Sequence, residues 1–242
     1  MPINTKSLHE QQQFDSSPAV INHKTGAQSI SAILNQPNPF SDDDIRELAG
    51  APAHGIIDYQ DVPAWGNTGY DQPLPGLYFF SKHSVYITGV NRIGLCFTPP
   101  LGYVAYIKDV FFNKQAPIGM CAIMLARIVR FCLRFNITRI RLLAAGGREW
   151  ETQPFGRWGG YYAWARLGFD MNLLPPDLLL ATHFPYFPSH LSGCGTVQEV
   201  VQNEEGRDWW KMCGTGDFME FDSSPASPAL ATLDAYLGTK GF

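Results

Sequence analysis

The residues best placed to do chemistry cluster between Tyr103 and Asp170. The run YVAYIKDVFF, 103–112, reads as an apolar strand that carries one acid, Asp109. A carboxylate in such a strand is costly unless paired, so Asp109 is either a general base or an acid bonded to loop amides. Lys108 is no obvious partner for it, because side chains alternate faces along a strand. The loop NKQAPIG, 113–119, then runs straight into an apolar helix. A loop containing Pro117 and Gly119 that enters a helix presents unpaired N–H groups at one spot, and the helix dipole adds to their preference for an anion. Cys121 stands at the same helix start, where a thiol is either activated as a nucleophile or simply packed. The spacing of His183, His190, Cys194 and Cys213 matches no short zinc motif, so no metal is expected.

Composition bounds what these residues can serve. A chain of 242 residues with 45% apolar and 13% aromatic content can bury a sizeable core. A net charge of −4 gives no general attraction to nucleic acid. No apolar run of membrane-spanning length occurs, and the start MPINTKSLHEQQQ lacks the apolar core of a signal peptide. Five dispersed cysteines fit reduced thiols. The expected compartment is cytoplasmic, that of the producing cell or of one the protein is delivered into.

Residues 1–37, rich in Gln, Ser, Asn and Thr, read as a disordered tail. Residues 38–75 hold a short helix and a loop wrapping the fold. In FSDDDIRELAG, 40–50, Ser41 caps the helix, Asp44 completes a capping box and Gly50 ends it. Strands are expected at 77–81, 84–90, 92–97 and 103–112, a long helix at 120–135 and a strand at 137–145. A closing aromatic helix follows. Short helices are expected at 196–204 and 230–237, within a C-terminal extension over 171–242.

In the long helix, Met120, Met124, Ile128, Phe131 and Phe135 fall on one side and Leu125, Val129 and Leu133 on the next. The helix is therefore buried over most of its girth, and Arg127, Arg130 and Arg134 form a stripe expected to face solvent. Nucleic-acid binding and the anchoring of a ligand phosphate are the other readings of that stripe. The segment 206–211 reads as a structural staple; the alternative is that one of Trp209 and Trp210 meets a partner, since both cannot face one core surface in a strand.

The order of these elements resembles the GNAT superfamily of acyl-CoA-dependent N-acyltransferases, over about residues 76–170. In that family a strand is followed by a loop of the form Arg/Gln-x-x-Gly-x-Gly/Ala that holds the coenzyme A pyrophosphate. Here the matching stretch is Asp109-Val110-Phe111-Phe112 leading to Gly119-Met120-Cys121-Ala122. A later Tyr-x-x-x-Gly-Phe motif is matched by Tyr161-Tyr162-Ala163-Trp164-Ala165-Arg166-Leu167-Gly168-Phe169. The chain departs from the pattern at three points. Ala116 holds the Arg/Gln position with Gln115 one residue off, Cys121 replaces the second glycine, and Trp164 stands where the family has its tyrosine.

The resemblance implies an α/β fold: a GNAT-like mixed, largely antiparallel sheet flanked by helices, with an N-terminal wrap and a C-terminal extension. It implies an acyl-CoA, such as acetyl-CoA, as co-substrate and a small-molecule or protein amine as acceptor. Val110 would bond the pantetheine arm, and Gln115, Ile118, Gly119, Met120, Cys121 and Ala122 would hold the pyrophosphate. Asp109 would be the base and Tyr161 or Tyr162 the acid. Arg148 and Arg157 would bind an anionic substrate group, with Trp150 or Trp158 as an apolar lid. The alternative is a protein that keeps this fold as a binding module or secreted effector without transfer activity.

Overall fold

The computed structural model describes residues 3, 5–22, 40–63, 74–100, 102–148, 159–183 and 188–242. The chain is α/β: seven strands lie in chain order in one mixed sheet, with helices flanking it. It divides into two units, Met1–Ile140 with Ser223–Phe242, and Arg141–Asp222. Among the described residues no helix is long and apolar enough to cross a membrane.

The first unit begins with the helical turn α1 (Leu8–Glu10), which runs into a π-helical turn, Gln11–Asp15, and then the strand β1 (Val20–Asn22). Composition predicted a mobile tail here. The ordered segment instead buries Ile3, Phe14 and Ala19. Its backbone is held by Ala53 N–H to the Gln13 carbonyl at 2.8 Å and His54 N–H to the Ser17 carbonyl at 2.7 Å. A few apolar residues spaced among glutamines suffice, because each finds a preformed surface to cover.

Helix α2 (Asp42–Ala49) has the expected ends: Ser41 and Asp44 exchange the capping-box bonds, and Gly50 closes it. Strand β2 (Ile56–Val62) lies where the sequence reads as a loop. It pairs in parallel with β1 and antiparallel with β3 (Gly76–Lys82). Acids at 58 and 61 weaken its apolar alternation, and pairing on both sides overrides that weak propensity. Strands β4 (Asn91–Thr98) and β5 (Gly102–Asp109) continue the antiparallel ladder. Residues 84–90, expected as a strand, form turns whose Ile87 bridges Phe112.

Helix α3 (Met120–Arg134) follows β5, and every residue from Ala122 to Cys132 is buried. The arginine stripe is thus a correction to the sequence reading. Arg127 is only 2% exposed, and its Nη1 donates to Glu10 and to Asp15, both at 2.9 Å. The Arg130 guanidinium bonds Glu10 and the Ile3 carbonyl. Arg134, nearer the surface, meets Asp44 and Glu47, both at 2.6 Å. The N-terminal segment supplies the acids that make burial of the first two arginines tolerable.

Strand β6 (Arg139–Leu143) spans the boundary between the units. The second unit contains α4 (Gly160–Arg166), α5 (Pro175–His183), α6 (Val197–Val201), α7 (Glu204–Cys213) and β7 (Phe218–Asp222). Its core centres on Phe169, whose ring lies 5.3 Å from that of Trp164 and 5.4 Å from that of Phe221. Trp209 and Trp210 are both buried, as a structural staple requires, and the alternative of an exposed partner residue falls away. They sit on a helix rather than a strand, so neighbouring residues lie about 100° apart and share one broad buried arc. The chain closes in the first unit with α8 (Pro228–Lys240).

Candidate functional site

The residues singled out by sequence divide between the units. Asp109, Val110, Gln115 and Ile118–Ala122 lie in the first, and Arg148, Tyr161 and Tyr162 in the second. Trp150, Arg157 and Trp158 fall outside the described residues.

In the first unit, Asp109 ends β5 directly opposite Arg92 on β4, beside an irregularity in the ladder. Arg92 Nη1 donates to Asp109 Oδ2 at 2.7 Å, and Lys108 Nζ lies 3.6 Å from Oδ1. Strand alternation predicts Lys108 on the other face, yet its long flexible stem carries the ammonium round the strand end. Asp109 therefore sits among cations and keeps some contact with solvent. The chain just beyond it is held by the 83–91 turns. Phe111 N–H donates to Asn91 Oδ1 at 2.7 Å, and Asn113 N–H to the Tyr86 carbonyl at 3.0 Å.

The loop that follows folds on itself through Asn113, which accepts from Gln115 N–H at 2.8 Å and Ala116 N–H at 3.1 Å. Met120 N–H is likewise bonded, to the Pro117 carbonyl at 3.1 Å. Two of the amides that the resemblance assigns to the pyrophosphate, those of Gln115 and Met120, are thus already engaged. Ile118 is 87% exposed, whereas Met120 and Ala122 are buried. Gly119 takes φ +87°, a conformation open to glycine and strained for other residues. No side chain caps the helix there, and its own first turn holds no acid.

What lies over Gly119 was not legible in the sequence. A Cβ built there would overlap the Phe242 ring, with Cε1 at 2.6 Å. The residue that lets the backbone be approached closely is thus approached by an aromatic side chain of the same unit. Cys121 is half-buried, and desolvation pushes its thiol up to about 12, away from nucleophilic use.

In the second unit, Tyr161 and Tyr162 open α4. The Tyr161 hydroxyl donates to the Lys211 carbonyl at 2.5 Å, and its own carbonyl accepts from Trp210 Nε1 at 3.1 Å. The Arg166 guanidinium lies 5.6 Å and the Lys211 ammonium 5.9 Å from the Tyr162 ring centre. Trp164 is a core residue. Arg148, expected to bind an anionic substrate group, is paired within the unit. It donates to Asp177 Oδ1 at 3.1 Å and to the Cys213 carbonyl at 3.2 Å. Asp177 is buried, so this guanidinium balances an internal charge. Among the described residues no cluster of His, Cys, Asp and Glu could hold a metal ion.

Comparison with protein-family models, with curated proteins and with solved structures finds no match for this chain.

Proposed function

We propose that the chain is an acyl-CoA-dependent N-acyltransferase, moving an acyl group from coenzyme A to an amine. The observation that carries this reading is the entry into α3: a strand, a short loop and a glycine of left-handed φ lead into a helix start with neither a side-chain cap nor an acid. Backbone N–H groups and the helix dipole there favour the pyrophosphate of the co-substrate. In the reaction the amine nitrogen attacks the thioester carbonyl, the C–S bond breaks, and Asp109 takes the ammonium proton directly or through a water. The departing thiolate takes its proton from water.

A second reading, a binding protein without transfer activity, is favoured by the ion pair of Asp109 with Arg92. A base already held by a guanidinium must give up that partner before it can take a proton. Calorimetric titration with acetyl-CoA and coenzyme A tests what the two readings share, and Asp109→Asn separates them. The transferase reading expects saturable binding, and transfer that Asp109→Asn abolishes with affinity kept within about threefold. Unchanged turnover in that variant removes Asp109 from the mechanism, and no binding at millimolar ligand removes the proposal.

A further inference from the structure

A histidine heads the turn that follows β3. Nδ1 of His83 accepts the backbone N–H of Val85 at 3.1 Å and that of Tyr86 at 2.9 Å. A backbone N–H can only donate, so Nδ1 bears no proton, the ring is neutral, and its proton stands on Nε2. Asn, Asp and Ser are the usual residues at the head of a turn, where an oxygen accepts the amides two or three residues on. An imidazole nitrogen does the same only while unprotonated. The Tyr86 ring stacks on His83 at an interplanar angle of 2° with centroids 4.3 Å apart, which fixes the plane in which Nδ1 meets the two amides.

This turn supports the chain beyond β5. Thr88 N–H donates to the Phe111 carbonyl at 2.9 Å and Asn113 N–H to the Tyr86 carbonyl at 3.0 Å, while Asn113 Nδ2 reaches the Val85 carbonyl and Ile87 bridges Phe112. Residues 111–113 therefore hang from a turn that closes on a neutral ring. Three neighbours bear on the charge of that ring. His54, on the turn before β2, opposes it when protonated; Lys82, the preceding residue, is paired with Asp58 at 2.9 Å; and a backbone hydrogen bond with Ala53 favours it. Burial opposes the charge most, and the balance holds the imidazole below its ordinary 6.5.

We infer that His83 is a pH-sensitive joint: the neutral imidazole locks the 83–88 turn and, through it, residues 111–113, and protonation in mild acid unlocks both. A proton added to Nδ1 faces two N–H groups it cannot bond, so both hydrogen bonds are lost together. Because the folded value is lowered, the stabilisation is complete above the ordinary 6.5 and is lost as pH falls from there to the folded value. Asp15 and Asp44, held below 3.8, act in a lower range. The joint stands whether or not the chain transfers acyl groups.

Nitrogen-15 spectra of the imidazole test the first half of this inference in the unmodified protein. The expected result is Nδ1 unprotonated and Nε2 protonated at neutral pH, with the ring titrating below 6.5. A proton on Nδ1 at neutral pH, or titration at or above 6.5, overturns the joint. Amide hydrogen exchange at Val85, Tyr86, Thr88 and Asn113 tests the second half, with each rate divided by its intrinsic value at that pH. Between about pH 7.5 and about pH 5.5, protection should fall about tenfold, because one pH unit below 6.5 an imidazole freed by opening is protonated about ten times in eleven. Unchanged protection overturns the joint. His83→Asn supplies an oxygen to the same amides that does not titrate, so its protection should be equal at the two pH values. A loss in His83→Asn as large as in wild type overturns the joint, and if that variant does not fold, the spectra and exchange of the wild type decide.

Discussion

Replacing Glu10 by alanine is expected to destabilise the first unit by about 3 kcal/mol. The Glu10 carboxylate accepts from both Arg127 and Arg130, and the three side chains are 3%, 3% and 9% exposed. Removing one member of a buried ionic group costs about 3–5 kcal/mol, because the remaining charge stays buried without compensation. Two features place this case at the low end. Arg127 keeps Asp15 at 2.9 Å and the Phe14 ring at 5.0 Å, and Arg130 keeps the Ile3 carbonyl at 3.0 Å. Arg130 also keeps Glu47, whose Oε1 lies 4.0 Å from its Nε. The assay is urea unfolding followed by far-ultraviolet circular dichroism. For a slope of about 2 kcal/mol per molar, the first-unit midpoint should fall by about 1.5 M. Replacing Glu10, Arg127 and Arg130 together by methionine removes the charges as a set, and should cost much less than Glu10→Ala alone. A loss below about 1 kcal/mol for Glu10→Ala, or a triple variant as unstable as the single one, would refute the claim that this network is buried and interdependent.

Asp15 and Asp44 make acid stability predictable. For each, burial opposes ionisation, but it is outweighed, at Asp15 by the Lys6 hydrogen bond and Arg127, at Asp44 by Ser41 and Arg134, so both carboxyls are held below the ordinary 3.8. A depressed folded value stabilises fully above the unfolded value and is lost as pH falls through the folded one. The melting midpoint should therefore change little on these groups' account down to about pH 5 and drop below about pH 4, less steeply in Asp15→Asn. Ser41→Ala removes the cap of α2 and should cost about 1 kcal/mol in the same urea assay. Iodoacetamide should label Cys121 slowly at neutral pH, because desolvation pushes its thiol up to about 12; rapid labelling in the folded protein would show that the thiol is activated.

Elements set by neighbouring residues were the legible ones. Ser41, Asp44 and Gly50 mark α2 because a capping box and a left-handed glycine act across one turn. The apolar periodicity of α3 marks burial over nearly its full girth, and Thr196 with Glu199 marks the start of α6 by the same capping logic. The entry at Gly119 was readable for a similar reason, since a strand, a loop and a helix in succession need only local signals. Strand β2 and the strand-like reading of 84–90 failed where pairing, rather than propensity, decides whether a segment joins a sheet.

By itself the sequence determined the ends of α2, the apolar character of α3 and that a glycine admits the chain into that helix. Tertiary structure alone decided what stands opposite each charged or reactive group. Glu10 meets Arg127 across 117 residues of chain, and Arg92 meets Asp109 across 17. Phe242 meets Gly119 from the far end of another helix. Such partners share no periodicity, because a charge or a ring is satisfied by whatever the fold brings within a few ångströms. A polar N-terminal segment therefore becomes the counter-charge of a buried helix, and an aromatic residue beyond α8 comes to rest on Gly119.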